Sequence, residues 1–329
     1  VRIKDVAQRA GVSAATVSRV LNGVSTVKPD ARERVLEAVA EVGYRPNRLA
    51  SNLRRQKAAT LGVVVSDIEN PHFTEMVRAV EDAAYGRGYR VLLCNTDERQ
   101  DKQRAYLEVL ADERVHGAIV ATSNPAGEEL SRLLDLGIPV VAFDRRIADP
   151  RAGAVVADNF GGVYRATRHL IDLGHQRIGL VGGPASVETG GERLRGYESA
   201  MLEAGLEPTP VDGGFRISGG AEASRPLLEN ADTTALLVAN NLMTIGVLEV
   251  VRERGLRVPG DLAIVAVDDP FWAALTDPPL TTVAQPVKEM AARAVGMLLA
   301  GLDGTREIQE EAVFGFELRV RGSCGSAKD

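Results

Sequence analysis

At 329 residues and 45% hydrophobic, the chain is too long for one usual core and too apolar for a disordered one, so about two or three folded units are expected. Two cysteines, Cys94 and Cys324, without metal-ligand spacing exclude a disulfide framework; the absence of an apolar run of about 18 residues or an apolar leader argues against a membrane span and export, and the expected setting is the cytoplasm. The formal net charge of −6 hides a division: Val1 to Lys57 holds 12 Lys and Arg against 5 Asp and Glu, whereas the remainder holds 27 against 40, so a basic module suited to a polyanion precedes an acidic body.

The first elements are two short helices. In IKDVAQRAGVSAATVSRVLNG, from Ile3 to Gly23, Val6, Ala7 and Ala10 are apolar at helical spacing, and after a break so are Val17, Val20 and Leu21. Ala7 is small where the helices would cross, Gly11 supplies a permissive turn, and Ser13 is placed to cap the second helix. This pattern predicts a helix-turn-helix, whose second helix enters the major groove of DNA. A third helix is expected from Pro29 through ARERVLEAVAEVGY, with Val35, Leu36, Val39 and Val42 as its buried stripe.

The run TVSRVLN, from Thr16 to Asn22, resembles the N-terminus of LacI/GalR-type bacterial repressors. That resemblance implies that Ala14, Ala15 and Arg19 read bases. Arg19 can donate two hydrogen bonds to a guanine edge, whereas the alanines offer apolar contact only. Ser13, Thr16, Ser18 and Asn22 present short polar groups that suit phosphate contacts fixing the register. Lys28 stands where the family usually has a serine, which leaves the third helix without its usual cap. From Tyr44 the chain reads YRPNRLASNLRR, a helix too short to be stable alone in water. The resemblance makes it a hinge helix that pairs with that of a second copy in the minor groove. Leu53 would wedge between base pairs, and Tyr44, Asn47 and Arg48 would hold phosphates.

From Thr60 the pattern becomes strand and helix in alternation: LGVVVS, a helix after Pro71, YRVLLCN, a helix to about Ala111, GAIVAT, a helix ending at Gly137, and PVVAF. A second series begins near Asp158 and contains RIGLVGG, ALLVAN and LAIVAVDD. Short apolar strands followed by amphipathic helices predict parallel sheets covered on both faces, in two similar lobes. Ligands of such sheets bind beyond the carboxyl ends of the strands. Those ends carry Asp67, Asn70, His72 and Phe73, then Asp144 and Arg145, Asn240, Asp268 and Gln285, a set able to hold a polyhydroxylated ligand. Asn240 and Asp268 could equally cap the helices that follow. Trp272 fits either the cleft or the lobe surface, and His175 fits a structural role.

This second part resembles the periplasmic sugar-binding-protein fold that LacI-type repressors share, through DNFGG, LGHQRIGLVGG, PPLTTVAQP and LRVRGSC. The resemblance places Asn70, His72, Phe73, Asp144, Arg193, Phe215, Asn240, Asp268 and Gln285 at ligand-contacting positions. Phe73 and Phe215 would stack on a ring, and Arg193 would hold a hydroxyl or carboxylate. Asn240-Asn241 replaces a frequent Asn-Asp, and Val187 stands where a purine-type pocket would have an arginine nearby, so a sugar is favoured over a nucleobase.

The fold expected is therefore a small all-α head followed by a two-lobed α/β domain of doubly wound parallel sheets. The divisions are 1–45 for the head, 46–58 for the hinge helix and linker, and 59–329 for the effector-binding and dimerisation core. Within the core, the N-lobe comprises about 59–158 and 287–316, and the C-lobe about 159–286 and 317–329. The function expected is a transcriptional regulator, a repressor, whose partners are operator DNA, a sugar-like effector and a second copy of itself, with no membrane, cofactor or metal. No phosphate loop, activated nucleophile or zinc-like histidine cluster supports an enzyme, and Gly182-Gly183-Pro184 lacks dinucleotide-loop spacing. A transport protein would need a leader and no basic head. The tail up to Asp329 carries no leucine heptads, so a dimer is expected and a tetramer is not.

Overall fold

The computed structural model describes residues 3–21, 29–41, 59–122, 128–229, 232–303, 308 and 310–325. The chain divides into two compact units, Val1–Ala58 and Ala59–Asp329.

The described part of the first unit is three helices, α1 (Ile3–Ala10), α2 (Ala14–Leu21) and α3 (Pro29–Glu41). Val6, Ala7 and Ala10 meet Val17, Val20, Val35 and Ala38 in one small core. Gly11 takes φ +63° in the turn, and the Val12 N–H closes it onto the Ala7 carbonyl at 3.0 Å. The Ser13 hydroxyl accepts the Thr16 N–H at 3.1 Å, which is the cap expected of it. Leu36 departs from expectation: it is 51% exposed, because α3 turns Val35 and Ala38 inward and Leu36 lies a further 100° or so round the helix. Val42 lies outside the described residues, as does Lys28.

The second unit holds two six-stranded sheets. In chain order its elements are β1 (Thr60–Val65), α4 (Pro71–Tyr85), β2 (Arg90–Asn95), α5 (Gln100–Asp112), β3 (Gly117–Val120), α6 (Glu128–Asp135), β4 (Val140–Phe143) and β5 (Gly153–Ala157). There follow α7 (Asn159–Asp172), β6 (Ile178–Gly182), α8 (Glu188–Glu203), β7 (Thr209–Asp212), α9 (Ile217–Glu229), β8 (Ala235–Val238), α10 (Asn241–Glu253), β9 (Ala263–Val267) and β10 (Thr281–Ala284). The last are α11 (Val287–Leu302), β11 (Glu311–Phe314) and β12 (Glu317–Arg319). The first sheet runs β11-β5-β4-β3-β1-β2 and the second β12-β10-β9-β8-β6-β7. All pairings are parallel except that of β10 with β12.

Helices on both faces explain why β3, β4, β6, β8 and β9 are buried at every position and read as unbroken apolar runs. The chain passes between lobes three times: from β5 into α7 at Asp158, from β10 into α11 at Gln285-Pro286, and from β11 into β12. At these crossings Phe316 lies so close over Gly162 that a Cβ there would come within 1.9 Å of the ring. Glycine at that position of the DNFGG motif is thus a packing requirement. Among the described residues no helix is long and apolar enough to cross a membrane.

The short antiparallel β12 is tied to the sheet by charge. Asp269, just past β9, accepts from the guanidinium groups of Arg319 and Arg321 and from the Thr282 hydroxyl. Burial alone would raise its pKa, but Arg321 and Arg319 outweigh this and hold the carboxyl at about 2. A carboxylate whose pKa is depressed on folding stabilises the protein above its ordinary pKa and loses that contribution as the pH falls through the folded value. Asp269→Asn is therefore expected to destabilise the second unit by about 2 kcal/mol at neutral pH. In chemical denaturation its deficit relative to wild type should shrink between pH 4 and pH 2, and a deficit independent of pH would refute the charge argument.

Candidate functional site

Parallel strands place their carboxyl ends along one edge, and the two sheets turn those edges toward each other. One cavity of about 30 Å³ lies there, lined by Asn70, His72, Phe73, Asp144, Arg145, Thr189, Arg193, Phe215, Asn240, Asp268 and Gln285. Of the cleft residues expected from the sequence, all but Asp67 line it, and Thr189 joins them; Asp67 instead faces Arg216, 3.6 Å away. A larger cavity of about 620 Å³ adjoins it, sharing His72, Asp268 and Gln285 and extending to the exposed Phe271. Ligand pockets usually measure about 300–1,000 Å³, so the inner cavity is narrower than a usual ligand site, whereas the adjoining one is of that size.

Local structure aims each side chain. Asn70 caps α4, with its Oδ1 accepting the His72 N–H at 3.0 Å, and Asn240 caps α10 by accepting the Met243 N–H at 2.7 Å. Of the two proposed caps, Asn240 is one. Asp268 is not: it takes φ +73° and accepts from the side chains of Asn241 and Gln285, which follow neighbouring strands of its own sheet. Asp144 and Phe215 also have positive φ, 68° and 59°. Non-glycine residues with left-handed backbone are strained, more so when bulky, and here three of them end in the same cavity. Trp272 lines neither cavity and packs partly buried against the C-lobe core. His175 is structural, bonded to the Thr234 hydroxyl at 2.9 Å and the Gly325 carbonyl at 2.7 Å.

A chain of polar contacts threads the cleft. Asn241 donates from Nδ2 to Asn70 Oδ1 at 2.9 Å, across the lobes, and to Asp268 Oδ2 at 3.1 Å. Gln285 donates to Asp268 Oδ1 at 2.8 Å. His72 Nε2 lies 3.5 Å from Asp144 Oδ1, and Arg145 Nε lies 3.5 Å from Asp144 Oδ2; both are charge contacts, too long and misaligned for good hydrogen bonds. Burial disfavours the His72 imidazolium, yet Asp144 and Asp268 outweigh it and lift the pKa. Burial likewise favours a neutral Asp144, but His72 and Arg145 keep that carboxyl below its ordinary value. Arg193, 5% exposed, donates from Nε to Asn159 Oδ1 at 2.8 Å and from Nη1 to the Ala239 carbonyl. Arg145 faces the cavity along its shaft, while its terminal nitrogens form a two-pronged pair with Glu98.

Among the described residues, the buried side-chain polar atoms without a hydrogen-bond partner are His72 Nε2, Arg145 Nε, Asn241 Oδ1 and Gln285 Oε1. All belong to residues lining these two cavities. Leaving such groups unpaired costs about 1–3 kcal/mol each, so their gathering marks a place made for hydroxyl-rich chemistry. Residues the sequence did not single out are Thr189, Asn159, Asn241 as a bridge, and Glu98. Thr189 sits one turn before Arg193 on α8, at a spacing that sequence alone displays.

In the head, Arg19 is exposed on α2, and Ala14 is half-buried against the small core. Ser13 and Thr16 present their hydroxyls at the start of α2, 2.9 Å apart. Asn22, Tyr44, Asn47, Arg48 and Leu53 lie outside the described residues, as do the side chains of Ala15 and Ser18.

Residues 2–47 match the bacterial regulatory proteins of the lacI family, and residues 167–324 match the periplasmic binding protein-like domain. The HTH-type transcriptional repressor PurR of Edwardsiella ictaluri (strain 93-146) is 38% identical over 311 residues, 93% of this chain and 91% of that protein. The chain belongs to the LacI family. It is accordingly a helix-turn-helix transcriptional repressor and not an enzyme. Solved LacI-family structures share the architecture along its length. The transcriptional regulator CelR in complex with cellobiose is 33% identical with a TM-score of 0.73, covering 98% of this chain and 99% of its own. The Lac repressor dimer bound to operator and the anti-inducer ONPF is 28% identical with a TM-score of 0.84, covering 99% of each chain.

Because Arg193 satisfies two buried acceptors at once, Arg193→Met should cost about 2 kcal/mol or more in urea denaturation. An unchanged midpoint would mean that Asn159 and the Ala239 carbonyl do not depend on it.

Proposed function

We propose that this LacI-family regulator represses transcription by binding a pseudo-palindromic operator as a cytoplasmic homodimer, under the control of a sugar or sugar derivative held between its lobes. The observation that carries the effector assignment is the convergence of ten polar and aromatic residues on one cavity, three of which, His72, Arg145 and Gln285, hold a buried polar atom without a partner. A structural neighbour holding cellobiose, and another from Enterococcus faecium holding ribose, support a sugar for this site. Residues 1–45 serve as the reading head, 46–58 as the hinge and linker, and 59–329 as the effector-binding and dimerisation core.

In this reading Arg19 reads a guanine, Ala14 and Ala15 touch base edges, and Leu53 wedges into the minor groove. Ser13, Thr16, Ser18, Asn22, Tyr44, Asn47 and Arg48 anchor phosphates. In the core, Phe73 and Phe215 enclose a ring while Asn70, His72, Asp144, Arg193, Asn240, Asp268 and Gln285 meet its hydroxyls, with Arg145 as a charged wall. Entry of the sugar parts and resets the lobes, and a homodimer converts that movement into a change of operator affinity. The two-fold symmetry of a dimer is what makes the operator palindromic.

The test is selection of bound duplexes from a random pool, with and without a panel of sugars and nucleobases. A palindrome whose enrichment shifts with a sugar is expected; enrichment of no motif by folded dimer would overturn the proposal. Arg19→Ala should weaken binding of the selected site by about 1–3 kcal/mol and relax preference at one position per half-site. A motif unchanged in the repeated selection would remove Arg19 from base reading.

A further inference from the structure

Glu98 stands just past β2 with φ +58°, in a loop whose backbone is fixed by its N–H to the Ser66 carbonyl at 3.0 Å. Its carboxylate takes both terminal nitrogens of Arg145, at 3.1 and 2.9 Å. Arg145 is 7% exposed, and burial alone would ease it toward neutrality; Glu98 and Asp144 oppose this and keep it charged. The result is a buried cation whose bidentate face, the part that best grips a carboxylate or phosphate, is already engaged. Arg145 lines the cavity, and its Nε has no hydrogen-bond partner. The second guanidinium, Arg193, has two of its nitrogens engaged by Asn159 and the Ala239 carbonyl.

Charge around the cavity follows from these pairings. Three carboxylates, Asp144, Asp268 and Glu98, face two guanidiniums, Arg145 and Arg193, and the imidazole of His72. The set balances when His72 is protonated and carries one negative charge when it is neutral. A neutral polyol meets donors and acceptors in such a site at no Coulomb cost. An anion meets two buried carboxylates and no free two-pronged cation, and in a partly desolvated cleft that repulsion is strong.

We infer that Glu98 sets the charge selectivity of the cleft: by engaging Arg145 it makes the site select an uncharged sugar over the phosphorylated or carboxylated form of the same sugar. The inference rests on the sugar reading of the cleft and adds to it a residue that lies outside the cavity wall. Glu98 acts through Arg145 and is thus a positioning residue. Its side chain is 32% exposed, so it can be changed without opening the core.

Calorimetric titration of the full chain with matched probes tests this: ribose against ribose 5-phosphate, glucose against glucose 6-phosphate, and galactose against galacturonate. Wild type should bind the neutral member of a pair at least about tenfold tighter. Glu98→Gln should free the Arg145 fork and narrow that ratio about tenfold or more, with neutral-sugar affinity nearly unchanged. The double variant Glu98→Gln/Arg145→Gln removes both charges together and should restore the wild-type ratio; it also serves if the single variant leaves Arg145 too poorly compensated to fold. Preference of wild type for an anionic member, or equal ratios in wild type and a folded Glu98→Gln variant, would overturn the role of Glu98 while leaving the sugar reading intact. A double variant that loses discrimination would also overturn it. Binding of no member of any pair by wild type would remove the sugar reading, and this inference with it.

Discussion

Two sheets that face each other by their carboxyl edges leave every parallel strand of both lobes ending at the same gap, and each ending must satisfy its polar groups there. The rest of the second unit follows from that constraint. Side chains placed at the ends of β1, β4, β8, β9 and β10 have nowhere to go but the cleft, and they meet in the chain of contacts from Asn70 through Asn241 and Asp268 to Gln285. Asn241 shows how closely chemistry is fitted to position. Its amide donates to Asp268 and to Asn70 at once, so an aspartate in its place would bring two carboxylates together.

The gap is also where the fold holds its strain. Asp144, Phe215 and Asp268 keep left-handed backbone conformations, and four buried polar atoms in the cavity walls have no partner. Each cost is modest, about 1–3 kcal/mol, but they are collected at the gap between the two lobes. A ligand that supplies hydroxyls to those atoms stabilises one arrangement of the lobes relative to another, which is the differential affinity any allosteric effector needs. The inter-lobe bond between Asn241 and Asn70, and the ion pairs from Arg146 to Glu188 and from Arg216 to Asp67, must break or re-form in that change.

What the sequence made legible was set by burial. β4, β8 and β9 are covered on both faces, so their apolar runs stood out, and the polar residue after each run, Asp144, Asn240 or Asp268, lines the cleft. β7 and β12, at the sheet edges, are short and largely exposed and carry no such run. Leu36 misled because α3 offers overlapping apolar stripes, and only packing against α1 and α2 decides which one turns inward. Arg145 lines the cavity, but its partner Glu98 lies 47 residues away and is joined to it only by the sheet. A pairing of that kind has no local signal. The head was legible for the opposite reason: its turn, cap and small-residue crossing are all local.

Central to this account is the linkage between cleft and head, and thermodynamics requires that linkage to be reciprocal. The most direct test measures operator affinity of the full chain at zero and saturating sugar, and sugar affinity with and without operator. The account predicts that both affinities change by the same factor, about 5-fold to 150-fold as is usual for coupled sites. Operator affinity indifferent to a sugar that saturates the cleft would contradict it.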